Sequence, residues 1–120
     1  MSAGECVIDT FAGVGNVGIT FYRWGPDDAR ITLQIAHGMG EHAARYGDFA
    51  AYLAGRGIAT YANDHRGHGR TALTPGVFGE DGWNGIVSDM AELNRIVARR
   101  HRGIPRVLLG HSMGALLAQD

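Results

Sequence analysis

The sequence has little of what would tie a protein to a special environment. It holds one cysteine, Cys6, in 120 residues, so an internal disulfide is excluded. Beside Val7 and Ile8 that thiol is expected to act as a small apolar core group. No apolar run approaches the ~18 residues of a membrane span. The opening MSAGECVIDT carries neither a basic leader nor an apolar stretch, so a soluble, cytoplasmic protein is expected. An excess of one charge is missing too. Eleven Lys and Arg stand against twelve Asp and Glu, for a formal charge of −1, which leaves no electrostatic footprint for a nucleic acid or an acidic partner. The longest basic cluster, Arg99, Arg100 and Arg102, falls where cations complement the partial negative charge of a helix C-terminus.

Glycine is in excess instead, at 19 residues against a usual share of about 7%. Most glycines punctuate apolar runs, where turns belong, and no repeat or low-complexity tract is present. Residues 5–10 and 18–24 read as two strands of a hairpin around AGVGNVG, and 31–36 (ITLQIA) as a buried strand ending on His37 and Gly38. Tyr46, Phe49, Ala50 and Leu53 recur at helical spacing within 43–56, with Gly57 after them. A strand at 58–62, a glycine-rich loop over 63–82, a helix from about 85 to 101, a buried strand at 106–109 and a further helix from Met113 complete the order. Strands alternating with helices predict an α/β class with a mostly parallel sheet covered on both faces.

Chemistry enters at Gly110-His111-Ser112-Met113-Gly114, which matches G-x-S-x-G. Such a serine sits on a sharp strand-to-helix turn that only small flanking residues permit. This composition gives roughly 0.07 chance matches over the chain, so the context has to decide. The apolar strand that enters the motif and the helix-competent MGALLAQ that leaves it both agree. Ser112 is therefore the candidate nucleophile. Acyl transfer also needs backbone N–H donors for a developing oxyanion. His37-Gly38-Met39-Gly40, directly after the third strand, stands where a second donor is wanted, so the N–H groups of Met39 and Met113 are the expected pair. Gly38 and Gly40 let the loop turn close to the reacting carbonyl; Gly110, His111 and Gly114 shape the elbow, with His111 expected to pack into it. Six histidines invite a metal reading, and His65 and His68 are spaced H-x-x-H, but no H-E-x-x-H is present. No metal and no cofactor are expected; a metallohydrolase built on His65 and His68 stands as a minor alternative.

The segments HGMGEH (37–42), YANDHRGHGRT (61–71) and GHSMG (110–114), in this order and at these separations, resemble the monoacylglycerol lipase and lysophospholipase group of α/β-hydrolases. The likeness covers nearly the whole chain from about Phe11. It implies an α/β-hydrolase fold, Ser112 as nucleophile, Met39 and Met113 as oxyanion donors, and the 64–69 loop as a shaping element. Thr71 stands where the group often has serine, and Ala115 where a third glycine is common. The implied activity is hydrolysis of carboxylic esters resembling monoacylglycerols or lysophospholipids, through an acyl-enzyme. The implied partner is a small ester or lipid, with transient membrane or micelle contact through a lid outside these residues. The pattern gives no oligomeric state.

In this fold the triad runs Ser, then Asp or Glu, then His. Every histidine here precedes Ser112, and only Asp120 follows it among the acids. Residues 1–120 are thus expected to be the N-terminal part of one hydrolase domain, inactive alone. A non-catalytic binding protein of the same fold is the alternative from another class.

Overall fold

The computed structural model describes residues 6–38, 40–71 and 82–119. Five strands, β1 (Cys6–Ala12), β2 (Gly18–Trp24), β3 (Ile31–Ala36), β4 (Ile58–Asn63) and β5 (Arg106–Gly110), alternate in their later part with α1 (Gly47–Ala54), α2 (Gly82–Arg100) and α3 (Met113–Gln119). They form one sheet in the order β1-β2-β4-β3-β5. Strand β3 runs parallel to both β4 and β5, as the successive helical crossovers β3-α1-β4 and β4-α2-β5 require. The hairpin β1–β2 adds two antiparallel pairings at the other side, so the sheet is mixed.

Side chains leave the sheet alternately, and both faces are covered. Tyr22, Trp24, Leu33, Ile35 and Ala62 pack with Ala43 and Ala50 on the α1 side. Phe21, Ala59 and Tyr61 pack with Leu93 and Val97 of α2 on the other. A third cluster joins Ala36 at the end of β3 to Ile86 and Met90 of α2 and to Met113 and Leu117 of α3. The buried stripe Ile86, Met90, Leu93, Val97 has the i, i+4, i+7, i+11 spacing of one helix face. It begins within a helix that starts at Gly82, three residues before the sequence placed it.

Several expectations need correction. The helix expected over 43–56 opens as a 3-10 turn at Ala43–Tyr46 and is α-helical only over Gly47–Ala54. The Ala43 N–H is held by the distant Asp64 carboxylate at 2.7 Å and the Tyr46 hydroxyl by the nearby Glu41 at 3.0 Å, and these bonds tighten the first turn. Its buried face carries the small residues Ala50 and Ala54 while Phe49 points to solvent. Cys6 is exposed, not part of the core, because β1 is an edge strand with a partner on one side. Among the described residues no strand lies beyond β5, and there Val107, Leu108 and Leu109, expected to be buried, are exposed. No helix among the described residues is long and apolar enough to cross a membrane.

The loop after β4 is tied down by an ion pair. Arg66 donates from Nε and Nη2 to the two carboxylate oxygens of Asp89 in α2, at 2.8 and 3.0 Å, and from Nη2 to the carbonyl of Val14 at 2.8 Å. Both side chains are almost wholly buried. Two desolvated charges are tolerated only with such bidentate geometry, and removing one partner leaves the other in low dielectric. Asp89→Ala is expected to cost about 3–5 kcal/mol in urea unfolding, and the Arg66→Met/Asp89→Leu double variant clearly less than either single change; a loss under about 1 kcal/mol for Asp89→Ala would refute this role.

Candidate active site

Ser112 is the second of the two residues, His111 and Ser112, that join β5, which ends at Gly110, to α3, which begins at Met113. Its φ is +59°, in the left-handed region that costs a non-glycine residue on the order of 1–3 kcal/mol. The surroundings impose that conformation. A Cβ on Gly114 would collide with the Ala36 carbonyl oxygen and stand 2.7 Å from that of His37; one on Gly110 would stand 2.6 Å from the Ala115 Cα. Both glycines of the motif are therefore places where backbone meets backbone. The His111 N–H donates to the Ala36 carbonyl at 3.1 Å, carrying the β3–β5 pairing into the elbow, and the Gly114 and Ala115 N–H groups return to His111 and Ser112 carbonyls. Ser112 is left exposed, and its hydroxyl has no hydrogen-bond partner among the described residues.

The loop after β3 lies directly against this turn. A Cβ on Gly38 would approach both the His111 carbonyl and the Ser112 Cβ to 3.1 Å. Gly40 has φ +75°. Met39, the expected second oxyanion donor, lies outside the described residues; Met113 is buried at the first position of α3. The Gly38 N–H is already committed, donating to Glu41 Oε1 at 2.7 Å. The same oxygen accepts from the Tyr46 hydroxyl at 3.0 Å and lies 3.1 Å from His111 Nδ1, while Oε2 pairs with Arg45. His111 thus does not pack into the elbow as expected; its ring is 63% exposed and reaches across to Glu41. Burial raises the Glu41 pKa, but the Gly38, His111 and Tyr46 hydrogen bonds and the Arg45 charge outweigh it and bring the carboxyl down to about 2.

Beneath the loop lies a stack of histidines. The rings of His37 and His65 are 4.0 Å apart and those of His37 and His68 5.2 Å apart. His37 Nδ1–H donates to the Gly38 carbonyl at 2.8 Å, which makes Nε2 the acceptor for the His65 N–H at 3.0 Å. His65 Nε2–H in turn donates to the His37 carbonyl at 3.1 Å. These bonds tie the loop after β3 to the loop after β4 and engage both ring nitrogens of His37 and Nε2 of His65, while His65 Nδ1 is buried without a hydrogen-bond partner. Among the described residues no three His, Cys, Asp or Glu side chains converge as a metal site would require. Burial, and after it the neighbouring His37 ring, hold the His65 imidazole down to about 3; burial lowers His37 as well. Asp64, wholly buried, accepts from the Ala43 N–H, the Tyr22 hydroxyl and the Arg70 N–H. Burial first, and this carboxylate second, push the Tyr22 phenol up to about 12. The 64–69 loop is therefore fastened to β2, to the 3-10 turn before α1 and to the end of β3.

Sequence reasoning gave no role to Glu41 or to the Arg66–Asp89 pair. The available signal was an acid and an arginine set among small residues in Gly-rich loops, where a charge has few reasons to be present unless it binds backbone.

The family described as Hydrolase_4, serine aminopeptidase, S33, matches residues 27–120. A monoacylglycerol lipase of Mycolicibacterium smegmatis is 44% identical over 106 residues, 88% of this chain and 37% of that protein. A lipase solved in an open form superposes with a TM-score of 0.87 at 29% identity, over 96% of this chain and 39% of the other. A thermostable carboxyl esterase from Bacillus coagulans, solved with glycerol, also gives 0.87, at 28% identity over 96% and 39%. The fold of these proteins is that of the α/β-hydrolases, and the chain spans less than two-fifths of their length.

Two measurements check the site's construction. Gly114→Ala is expected to destabilise by about 1–3 kcal/mol or more, since the methyl meets backbone that cannot swing aside; a variant within about 0.5 kcal/mol of the parent in urea titration would contradict the geometry. His65 provides a pH test. Its folded pKa lies near 3 against an ordinary 6.5, so only the unfolded chain gains its proton as pH falls below about 6.5. The stabilisation is complete above that pH and is lost toward pH 3, at up to about 1.4 kcal/mol per pH unit. Urea midpoints that stay flat between pH 6.5 and 5 would show that the ring is not held neutral.

Proposed function

We propose, since the chain belongs to the α/β-hydrolase family described as serine aminopeptidase, S33, that it carries the nucleophile half of a serine hydrolase acting on carboxylic esters of the monoacylglycerol type. The observation that carries this reading is the positive φ of Ser112 between β5 and α3, with Gly38 lying against it. The ester preference is supported by the names of the relatives, a monoacylglycerol lipase and a carboxyl esterase.

In the proposed reaction Ser112 Oγ attacks the ester carbonyl carbon. A C–O bond forms, the hydroxyl proton passes to a histidine, and the carbonyl oxygen becomes an oxyanion facing the N–H groups of Met39 and Met113. The bond to the alcohol then breaks, the alcohol leaves with the proton from that histidine, and water cleaves the acyl-enzyme by the same steps in reverse order. The histidine and its carboxylate partner are assigned to the part of the relatives' length that this chain does not span. His37 is unsuited to be the base, because both ring nitrogens are engaged beneath the loop. Lipid contact through a lid belongs to that same unspanned part.

The test uses three proteins: one carrying this chain at the length of its relatives, its Ser112→Ala variant, and the 120-residue chain alone. The first is expected to hydrolyse p-nitrophenyl butyrate and a monoacylglycerol and to be labelled by a fluorophosphonate at Ser112. The Ala variant is expected to lose both signals with its unfolding midpoint unchanged. The 120-residue chain should fall short by about 10⁶ in turnover, the loss seen when a triad loses its histidine. An active Ala variant would overturn the serine mechanism, and faster cleavage of amino-acid anilides than of esters would move the substrate class to peptides.

A further inference from the structure

Glu41 has no part in the serine motif, yet its carboxylate collects four donors beside it. Oε1 receives the Gly38 N–H, the Tyr46 hydroxyl and His111 Nδ1, and Oε2 pairs with Arg45. The carboxylate is 8% exposed beneath two partners, Arg45 and His111, that are each more than 60% exposed. Gly38 belongs to the loop after β3, and His111, 70 residues from Glu41, is the residue before Ser112. A Cβ placed on Gly38 would lie 2.9 Å from Glu41 Oε1 and 3.1 Å from Ser112 Cβ, so the acid stands at the seam where the two halves of the site touch.

We propose that Glu41 is a positioning residue for acyl transfer, fixing the oxyanion-side loop against the nucleophile elbow by joining the Gly38 N–H to the residue that precedes Ser112. The inference rests on the serine-hydrolase reading given above. Its physical basis is that transition-state stabilisation by backbone donors depends on where they are held before the reaction begins, and loops hold position only as well as their cross-links do. Direct contact with substrate is disfavoured, since Oε1 is filled by three donors. A full negative charge close to a developing oxyanion would oppose the reaction; here the charge is met by Arg45 and by N–H and O–H dipoles, which leaves the acceptor geometry as the useful property. Ionised down to about pH 2, the group is not an acid or a base in the turnover range.

Acceptor geometry and charge separate in two substitutions. Glu41→Gln keeps an Oε1 acceptor for all three donors and gives up only the ion pair with Arg45, whose exposed guanidinium is screened by solvent. Glu41→Ala removes the cross-link. In the protein carrying this chain at the length of its relatives, Glu41→Ala is expected to lower kcat for p-nitrophenyl butyrate about 10²-fold, the scale of a 1 Å misplacement, with KM changed by less than about threefold. Its affinity for a phenylboronic acid, which mimics the tetrahedral adduct on Ser112, should fall by the same factor, and Glu41→Gln should stay within about fivefold of the parent in both. All rates are read at least about 15 °C below each variant's unfolding midpoint, beyond the ~4–8 °C shift that about 1 kcal/mol produces. Wild-type kcat in folded Glu41→Ala overturns the proposal, as does a raised KM at unchanged kcat, or a Glu41→Gln variant as impaired as the alanine. Should the alanine variant not fold, His111→Ala decides, because it severs the elbow end of the link and leaves Gly38 its acceptor: unchanged kcat there overturns the proposal and a loss in kcat alone supports it. A parent protein that neither cleaves esters nor labels at Ser112 would sink the serine-hydrolase reading itself, a result distinct from an active parent indifferent to Glu41.

Discussion

Gly114 rests against the carbonyl end of β3 with no room for a side chain, its missing Cβ position lying within 2.7 Å of both Ala36 C and His37 O. Everything at the site follows from that contact. It draws the start of α3 over the end of β3, so that the turn joining β5 to α3 has two residues, His111 and Ser112, in which to reverse direction, and Ser112 takes a positive φ to do so. It also sets the residue after His37, Gly38, beside the serine, because the strand that ends at Ala36 continues into the loop that faces the elbow. A larger residue at either place would separate nucleophile and loop by the thickness of a methyl group, which is the scale on which acyl transfer fails.

A second layer of the design is electrostatic. Glu41, Asp64 and Asp89 are carboxylates held away from solvent, each met by at least one donor distant in the chain: His111 beside the local Gly38 and Tyr46 for the first, Tyr22 and Ala43 beside the local Arg70 for the second, Arg66 for the third. Desolvating a carboxylate is costly unless several donors replace its water. Each acid therefore acts as a fastener whose strength depends on the whole set being in place. The histidine stack works in the opposite way. His37 and His65 stay neutral and use one ring nitrogen as donor and, in His37, the other as acceptor, tying two loops together without a buried charge.

What could be read from the chain was local. The serine turn was legible because strand, glycines and helix lie within a few residues of each other and each constrains the next. The class was legible because apolar runs of strand length alternate with helical spacing. The histidines could be set aside as metal ligands only by spacing, which is a weak criterion; the stack of rings and the carbonyls they meet arise from residues 28 apart and follow from no local pattern.

The sequence by itself determined which residues can form strands, which can form the elbow, and that a serine stands at its turn, since these depend on side-chain volume and on backbone freedom within a handful of residues. Tertiary structure alone decided the order of the strands, which puts β1 at one edge of the sheet with Cys6 exposed rather than inside. It alone turned His111 away from the elbow toward Glu41 and paired Arg66 with Asp89. Burial and hydrogen-bond partnership are properties of what surrounds a residue, and the surroundings here are brought from 23 to 70 positions away, a distance across which composition and periodicity carry no signal.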